Sequence, residues 1–124
     1  MKRVLLFVVS VFLLSPAWAV KIVGVRTSSD QDSTRLVLEL DGASEYRVSE
    51  DSTPGRLVIT LPQAESAITG AGWPVNAGLI AAVRLDTGSK PSRLLVDLAG
   101  AAESRIFPLG PNGSYGHRLV IDLT

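Results

Sequence analysis

An internal repeat constrains the fold of this chain more than any other feature. Residues 34–42 (TRLVLELDG) return in degenerate form 58 positions later as residues 92–100 (SRLLVDLAG). Related segments at a fixed spacing indicate two copies of one structural unit. Residues 56–61 (RLVITL) return as residues 118–123 (RLVIDL) at a spacing of 62, so the second copy carries four extra residues before its last segment. An insertion between well-matched segments is typical of a turn that has diverged between structural repeats.

Each copy alternates apolar and polar residues with the period of a strand that is buried on one face. We predict strands over residues 21–26, 34–40, 46–48, 56–61, 79–85, 92–98, 105–109 and 118–123. A small sheet with one apolar face is not stable alone, but two such sheets can cover each other. We therefore predict an all-β fold, a pseudo-symmetric β-sandwich of two three- or four-stranded antiparallel sheets built from repeat one (residues 20–62) and repeat two (residues 78–124). The predicted core positions are Val23, Val25, Leu36, Leu38, Leu40, Leu57, Ile59, Leu61, Val83, Leu85, Leu94, Val96, Leu98, Leu119, Ile121 and Leu123.

Residues 1–19 have the composition of a cleaved secretory signal peptide. Lys2 and Arg3 precede an apolar run over residues 4–14, and Ala17 and Ala19 form a small-x-small cleavage pattern. The run is shorter than the roughly 20 residues that span a bilayer, so no membrane span is expected after cleavage. The exported domain is then residues 20–124.

Composition excludes several classes of function for that domain. Without Lys2 and Arg3, 10 basic residues face 12 acidic ones, and this net charge of −2 argues against nucleic acid as a partner. The absence of cysteine excludes thiol catalysis and zinc-thiolate sites. His117 is the only histidine and we expect it to be a turn residue, because a lone histidine has no partner for catalysis or metal binding. We expect no catalytic residues, no metal and no cofactor.

The outward-facing positions of the two repeats carry matched rows of functional groups. One row is Arg35, Val37 and Glu39, and the other is Arg93, Leu95 and Asp97, each with side chains about 6.6 Å apart along its strand. Such rows could bind sugar hydroxyls, N-acetyl groups or peptide carboxylates of a repeating polymer. They could equally form cross-strand ion pairs that keep a sheet surface soluble. The sequence leaves both interpretations open.

Two aromatic residues in predicted connections have a similar ambiguity. Trp73 and Tyr115 could stack on sugars, but a tryptophan in a crossover more often closes the open end of a core. Asn112, Gly113 and Ser114 match a glycosylation acceptor pattern, and we interpret them as turn residues.

The order of these motifs after a signal peptide resembles the AMIN domain of bacterial cell-envelope proteins, over essentially all of residues 20–124. The matching segments are residues 34–42, 46–48 and 56–62 in the first copy and residues 78–80, 83–84, 92–98 and 117–123 in the second. The resemblance implies a periplasmic, non-catalytic module that binds peptidoglycan and targets its host in cell division or cell-wall remodelling. By the family's motif, the implied ligand-binding residues are Thr34, Arg35, Val37, Glu39, Ser92, Arg93, Leu95 and Asp97. Glu39 departs from the more usual aspartate at its position.

The resemblance implies two alternative settings for this module. It occurs in type IV pilus secretins, where it would act as a protein-interaction domain with pilus or divisome proteins as partners. It also forms the N-terminal part of N-acetylmuramoyl-L-alanine amidases, whose zinc hydrolase domain is not among these residues.

We predict that export removes residues 1–19, because the basic start, apolar run and small residues meet the requirements of signal peptidase. N-terminal sequencing of the protein recovered from the periplasm should begin at Val20. A mature protein that still begins at Met1 would refute the cleavage.

Overall fold

The chain forms nine strands in a computed structural model that describes residues 19–50, 55–62, 64–68, 73, 76–86 and 91–124. The strands are β1 (Val20–Ser29), β2 (Thr34–Leu40), β3 (Arg47–Glu50), β4 (Arg56–Leu61), β5 (Ala64–Ser66), β6 (Ile80–Asp86), β7 (Ser92–Leu98), β8 (Ser104–Leu109) and β9 (His117–Leu123). Eight of them match the predicted strands. The ninth, β5, lies in the connection between the repeats and was not predicted. The predicted signal peptide lies outside the described residues except for Ala19.

The strands form two sheets, as predicted for a β-sandwich. One has five strands in the order β5-β1-β2-β9-β8, and the other has four in the order β3-β4-β7-β6. All neighbours are antiparallel except β5, which pairs parallel with β1. The five-stranded sheet is therefore one strand larger than predicted. In the part of the chain that is described, no helix is long and apolar enough to cross a membrane.

Each sheet contains strands from both repeats. The first repeat contributes β1 and β2 to the five-stranded sheet and β3 and β4 to the four-stranded sheet. In the second repeat, the equivalent strands β6 and β7 belong to the four-stranded sheet, and β8 and β9 belong to the five-stranded sheet. The central pairs are β2 with β9 and β4 with β7, and each of these pairs joins one repeat to the other. The two copies are thus interleaved, and neither forms a sheet of its own.

The core lies between the sheets and consists of the inward-facing side chains of both. Of the predicted core positions, twelve are buried and three more, Val25, Leu85 and Leu98, are partly buried against them. Trp73 is also partly buried against this core, in agreement with its interpretation as a closing residue. Val20, Ile22, Ala64 and Ile80 are buried core residues that the alternation did not identify.

The prediction that Val23 is a core residue is wrong because β1 contains a bulge. The register against β2 shifts between Ile22 and Gly24, so Ile22 is fully buried while Val23 is 53% exposed. An extra residue in one strand shifts the alternation that follows it. The same shift recurs between Ile80 and Ala82 in β6, 58 residues later, so the bulge is part of the repeated unit.

Two equivalent hydroxyl groups connect the sheets. Thr34 in β2 accepts a hydrogen bond at Oγ1 from the backbone nitrogen of Leu79, which leads into β6 of the other sheet (2.9 Å). Ser92 in β7 donates from Oγ to the carbonyl oxygen of Ala64 in β5 (2.9 Å). Both hydroxyls are buried, so these bonds satisfy backbone groups that water does not reach.

Gly78 should tolerate no side chain, because its φ of 56° favours glycine and a Cβ would collide with Thr34 Oγ1 and crowd Ser29. We expect Gly78→Ala to lower the free energy of unfolding by at least about 1–3 kcal/mol. Chemical denaturation of the two proteins measures this difference. Gly100→Ala is the matched control, since an added Cβ there meets nothing within 4 Å and should leave stability nearly unchanged. Equal stability of both variants would contradict the close approach at Gly78.

Candidate ligand-binding faces

The two outer faces of the sandwich carry six of the eight predicted binding residues. Arg35, Val37 and Glu39 lie on the outer surface of the five-stranded sheet, the five-stranded face. Arg93, Leu95 and Asp97 lie on the outer surface of the other sheet, the four-stranded face. The structure therefore groups the residues in threes and places the two groups on opposite sides of the molecule.

The other two predicted residues, Thr34 and Ser92, are not on these faces. Each residue directly precedes an outward-facing arginine, and because successive side chains of a strand point to opposite faces, its own side chain points between the sheets. Thr34 is only 1% exposed and Ser92 only 6%. Their hydroxyl groups are already bonded to Leu79 and Ala64. Their hydrogen bonds connect the two sheets that carry the outward-facing residues.

Two ion pairs join neighbouring strands on the five-stranded face. Arg35 donates from Nε and Nη2 to the two carboxylate oxygens of Asp122 on β9, at 2.7 and 2.8 Å. The bond from Arg35 lowers the pKa of the Asp122 carboxyl, and the same bond raises the pKa of Arg35. Glu39 pairs with Arg26 on β1 at 2.6 Å. Cross-strand ion pairs, one of the two interpretations left open by the sequence, are thus present here.

The four-stranded face has its own ion pairs with a different arrangement. Arg56 on β4 donates from Nε to Asp97 at 2.7 Å. Arg93 pairs with Asp86 on β6 at 3.2 Å. The arginines nevertheless keep a large accessible fraction, since the side chains of Arg35 and Arg93 are 50% and 44% exposed. Paired and exposed arginines can still accept further anions through their remaining N–H groups.

An apolar stripe lies beneath the charged groups on both faces. Val120 is 1% exposed although it points outward, between Val37 on β2 and Phe107 on β8. Leu95 and Val58, which are opposite each other on the four-stranded face, are similarly buried. The long arginine side chains flank this stripe, and their aliphatic parts can cover apolar surface while the guanidinium group stays in water.

A groove crosses the five-stranded face and is lined by aromatic, apolar and cationic groups. Its volume is about 520 Å³, within the usual range for small-molecule sites. It is lined by Arg26, Thr27, Ser28, Arg35, Val37, Leu109, Tyr115, Arg118 and Val120. We call it the Tyr115 groove. The guanidinium carbons of Arg118 and Arg26 lie 4.8 and 5.6 Å from the centre of the Tyr115 ring, within range of cation–π attraction.

Phe107 forms a second aromatic centre beside the groove. The guanidinium carbons of Arg105 and Arg35 lie 5.4 and 5.9 Å from the centre of its ring. Strands β1, β2, β8 and β9 thus place four arginines around two aromatic rings, with Glu39 and Asp122 as the carboxylates among them.

The turn between β8 and β9 fixes the position of Tyr115. The backbone groups of Asn112 and Tyr115 exchange two hydrogen bonds of 2.9 and 3.0 Å, and Gly113 has a φ of 61° between them. This confirms that the Asn112–Gly113–Ser114 sequence forms a turn. The four residues inserted in the second repeat fall in this connection. The insertion is therefore the feature of the sequence that distinguishes the groove side of the second repeat.

His117 is the first residue of β9, where it is partly buried and lies opposite Leu40. The prediction that it is a turn residue is therefore wrong, because the strand begins one residue before the predicted start at Arg118. Within the described ranges, no three histidine, cysteine, aspartate or glutamate side chains lie close enough together to hold a metal ion.

Comparison with known proteins identifies the family of this sandwich. The model of the AMIN domain matches residues 24–123, which is most of the chain. The protein therefore belongs to the AMIN domain family, as the sequence motifs indicated.

A curated relative is the N-acetylmuramoyl-L-alanine amidase AmiC of Neisseria meningitidis serogroup B. The two sequences are 33% identical over a 95-residue alignment, and the match covers 73% of this chain and 23% of the amidase. The chain thus spans about a quarter of the length of the relative that it matches.

The Arg35–Asp122 pair should make stability depend on acid pH. The folded-state pKa of Asp122 is lowered, so its contribution is present above the unfolded pKa of about 3.9 and is lost as the pH falls through the folded value. We expect Asp122→Asn to be less stable than the wild type at pH 6 by up to about 1 kcal/mol, because the pair is largely exposed. The difference should narrow as the pH falls below about 3.9 toward the folded value. Denaturation at pH 6 and at several values below pH 4 measures it, and a difference that does not change with pH would exclude this contribution.

Proposed function

We propose that this chain is a non-catalytic, peptidoglycan-binding domain that targets a cell-wall amidase or an envelope complex in the periplasm. The observation that carries the proposal is the concentration of exposed arginines on the two outer faces. Membership of the AMIN family and the match to an amidase support the cell-envelope setting.

The charge distribution supports an anionic polymer as the ligand. Four arginines and two carboxylates surround the rings of the five-stranded face, although the domain without its signal peptide has a net charge of −2. On the five-stranded face, arginines thus outnumber the carboxylates among them by four to two, which leaves a local positive excess where a ligand can reach it. Peptidoglycan carries carboxylates on its stem peptides, and arginine binds carboxylates through paired N–H groups.

Two faces on opposite sides suit a ligand that repeats in three dimensions. A cell wall can present glycan strands to both faces at once, and the second contact then benefits from a high effective concentration. Weak binding at each face can therefore give firm retention on the insoluble polymer. This is the property that a targeting domain requires.

Two hosts are consistent with this role. In an amidase, the domain would hold the catalytic part against its substrate. The match to AmiC favours this host, although the matched region is only 23% of that protein. The alternative is a domain of a pilus secretin or related envelope assembly that contacts envelope proteins through exposed strand edges, and substitutions in the arginine rows would then leave the capture of that partner unchanged.

The proposal predicts that the purified protein sediments with insoluble peptidoglycan. Arg35→Ala and Arg93→Ala should each reduce the sedimented fraction, and the double variant should remain mostly in the supernatant, because it removes a cation from both faces. Quantifying bound and free protein at several salt concentrations measures the effect, since ionic contacts weaken as salt screens them.

Lys21→Ala is the control for the loss of a positive charge. Lys21 is exposed near the start of β1, roughly 20 Å along that strand from Ser28, the residue opposite Arg35. It should sediment like the wild type. If the wild-type protein remained in the supernatant, or the double variant sedimented equally well, peptidoglycan binding through these faces would be excluded.

A further inference from the structure

We propose that the Tyr115 groove binds a sugar ring that carries its own carboxylate, which in peptidoglycan is a muramic acid residue without its stem peptide. This inference rests on the proposed function and assigns the ligand of one face. It follows from three features that distinguish the five-stranded face from its repeat-related counterpart.

The first feature is the aromatic character of this face alone. Phe107 has Ser49 as its equivalent in the first repeat, 58 residues earlier. Tyr115 lies in the connection that is four residues longer than its counterpart in the first repeat. The repeat therefore duplicates the arginines but not the rings. Apolar ring faces pack well against the C–H groups of sugars, and among the described residues the surface formed by Phe107 and Tyr115 has no equivalent on the four-stranded face.

The second feature is that Glu39 forms its ion pair with Arg26 and not with Arg118. The register places Glu39 directly opposite Arg118 on one side and Gly24 on the other. The Glu39 side chain lies close over Gly24, where an added Cβ would come within 3.2 Å of its carboxyl carbon, and it reaches Arg26. Glycine leaves the space that this path needs.

On the four-stranded face, the equivalent carboxylate pairs with the equivalent of Arg118. Ala82 replaces Gly24, and the shorter Asp97 replaces Glu39. Asp97 pairs with Arg56, which is the equivalent of Arg118. The combination of Gly24 and Glu39 thus draws the carboxylate away from Arg118.

The third feature is the state of Arg118 itself. Its Nε and Nη2 donate to the carbonyl oxygens of Gly116 and Gly110, at 3.3 and 3.2 Å, and these bonds hold the guanidinium group over Tyr115. Within the described part of the chain, Arg118 has no carboxylate partner and its Nη1 has no hydrogen-bond acceptor. A fixed cation at the wall of a groove is therefore available to an anion from outside.

The distance between these groups selects the ligand. The Arg118 cation is 4.8 Å from the centre of the Tyr115 ring, and Tyr115 is 50% exposed. A sugar that packs against Tyr115 and Leu109 can reach Arg118 only with a carboxylate attached close to its own ring. The lactyl carboxylate of muramic acid meets this requirement, whereas stem-peptide carboxylates are many bonds away.

This ligand must be supplied by a hydrolytic reaction. In intact peptidoglycan the lactyl carboxyl is bound in an amide to the first amino acid of the stem peptide. Water must cleave that amide, which releases the carboxylate on the sugar and the amine on the peptide. The Tyr115 groove would therefore bind the product of an amidase and retain the protein where peptides have been removed.

Calorimetric titration with three soluble probes tests the ligand. The probes are the peptide-free disaccharide of N-acetylglucosamine and N-acetylmuramic acid, the neutral N-acetylglucosamine disaccharide, and the same muramyl disaccharide with its stem peptide. We expect the carboxylated disaccharide to bind about tenfold more tightly than either other probe, as a charge-assisted hydrogen bond would give. Equal binding of the neutral disaccharide, or tighter binding of the peptide-bearing one, would overturn the inference.

Substitutions in the groove test the residues. Arg118→Gln should weaken binding of the carboxylated disaccharide about tenfold and leave binding of the neutral disaccharide unchanged. Tyr115→Leu should weaken both, whereas Tyr115→Phe, which keeps the ring, should weaken neither as much. Gly24→Ala combined with Glu39→Asp copies the arrangement of the other face and should resemble Arg118→Gln. Lys21→Gln, which removes a positive charge from a residue that does not line the groove, is the control, and equal affinities of Arg118→Gln and this control would refute the site.

Sedimentation with cell walls separates this inference from the proposed function. Purified peptidoglycan is compared before and after digestion with an amidase, and more wild-type protein should sediment after digestion. Equal sedimentation with both materials overturns the inference alone. No sedimentation with either material overturns the proposed function.

Discussion

The structure depends on the burial of one apolar face of each sheet against the other. The chain has no cysteine, so no disulfide supplements this packing. Leucine, isoleucine and valine at alternate positions of both repeats form one continuous core, and the equivalent hydroxyls of Thr34 and Ser92 bond across it. Because inward positions are committed to this core, alternation leaves the outward positions free to carry function. In β2 and β7, the inward residues of the alternating pattern form the core and the outward residues include the arginines.

Duplication produced two faces that share their arginines but differ in how those arginines are used. On the four-stranded face the carboxylate of Asp97 pairs with Arg56, and on the five-stranded face Glu39 turns away to Arg26. One additional methylene group and one missing Cβ decide between these pairings. Ion pairs, one of the two interpretations left open by the sequence, thus occupy the charged residues of both rows, whereas Arg118 has no carboxylate partner among the described residues.

Much of the fold could be predicted because alternation is a local property. Eight strands, the two-sheet sandwich and most core positions follow from the period of the apolar residues. Val23 was misplaced because a bulge depends on the register between strands, which one strand's sequence does not record. Strand β5 was missed because three residues are too few to show a period. The Tyr115 groove was missed because its walls come from β1, β2, β8, β9 and a turn, and their order in the sheet is not evident from their order in the chain. Thr34 and Ser92 were assigned by motif, and the structure shows that their side chains point inward.

The interleaving of the repeats also bears on how the protein reaches its folded state. Strand β9 lies between β2 and β8, and β7 lies between β4 and β6. Neither sheet can be assembled from the first repeat alone, and the five-stranded sheet lacks a central member until residues 117–123 have been made. Both sheets are therefore completed only when strands of the second repeat are available, and the two repeats are expected to fold together in one cooperative step rather than one after the other.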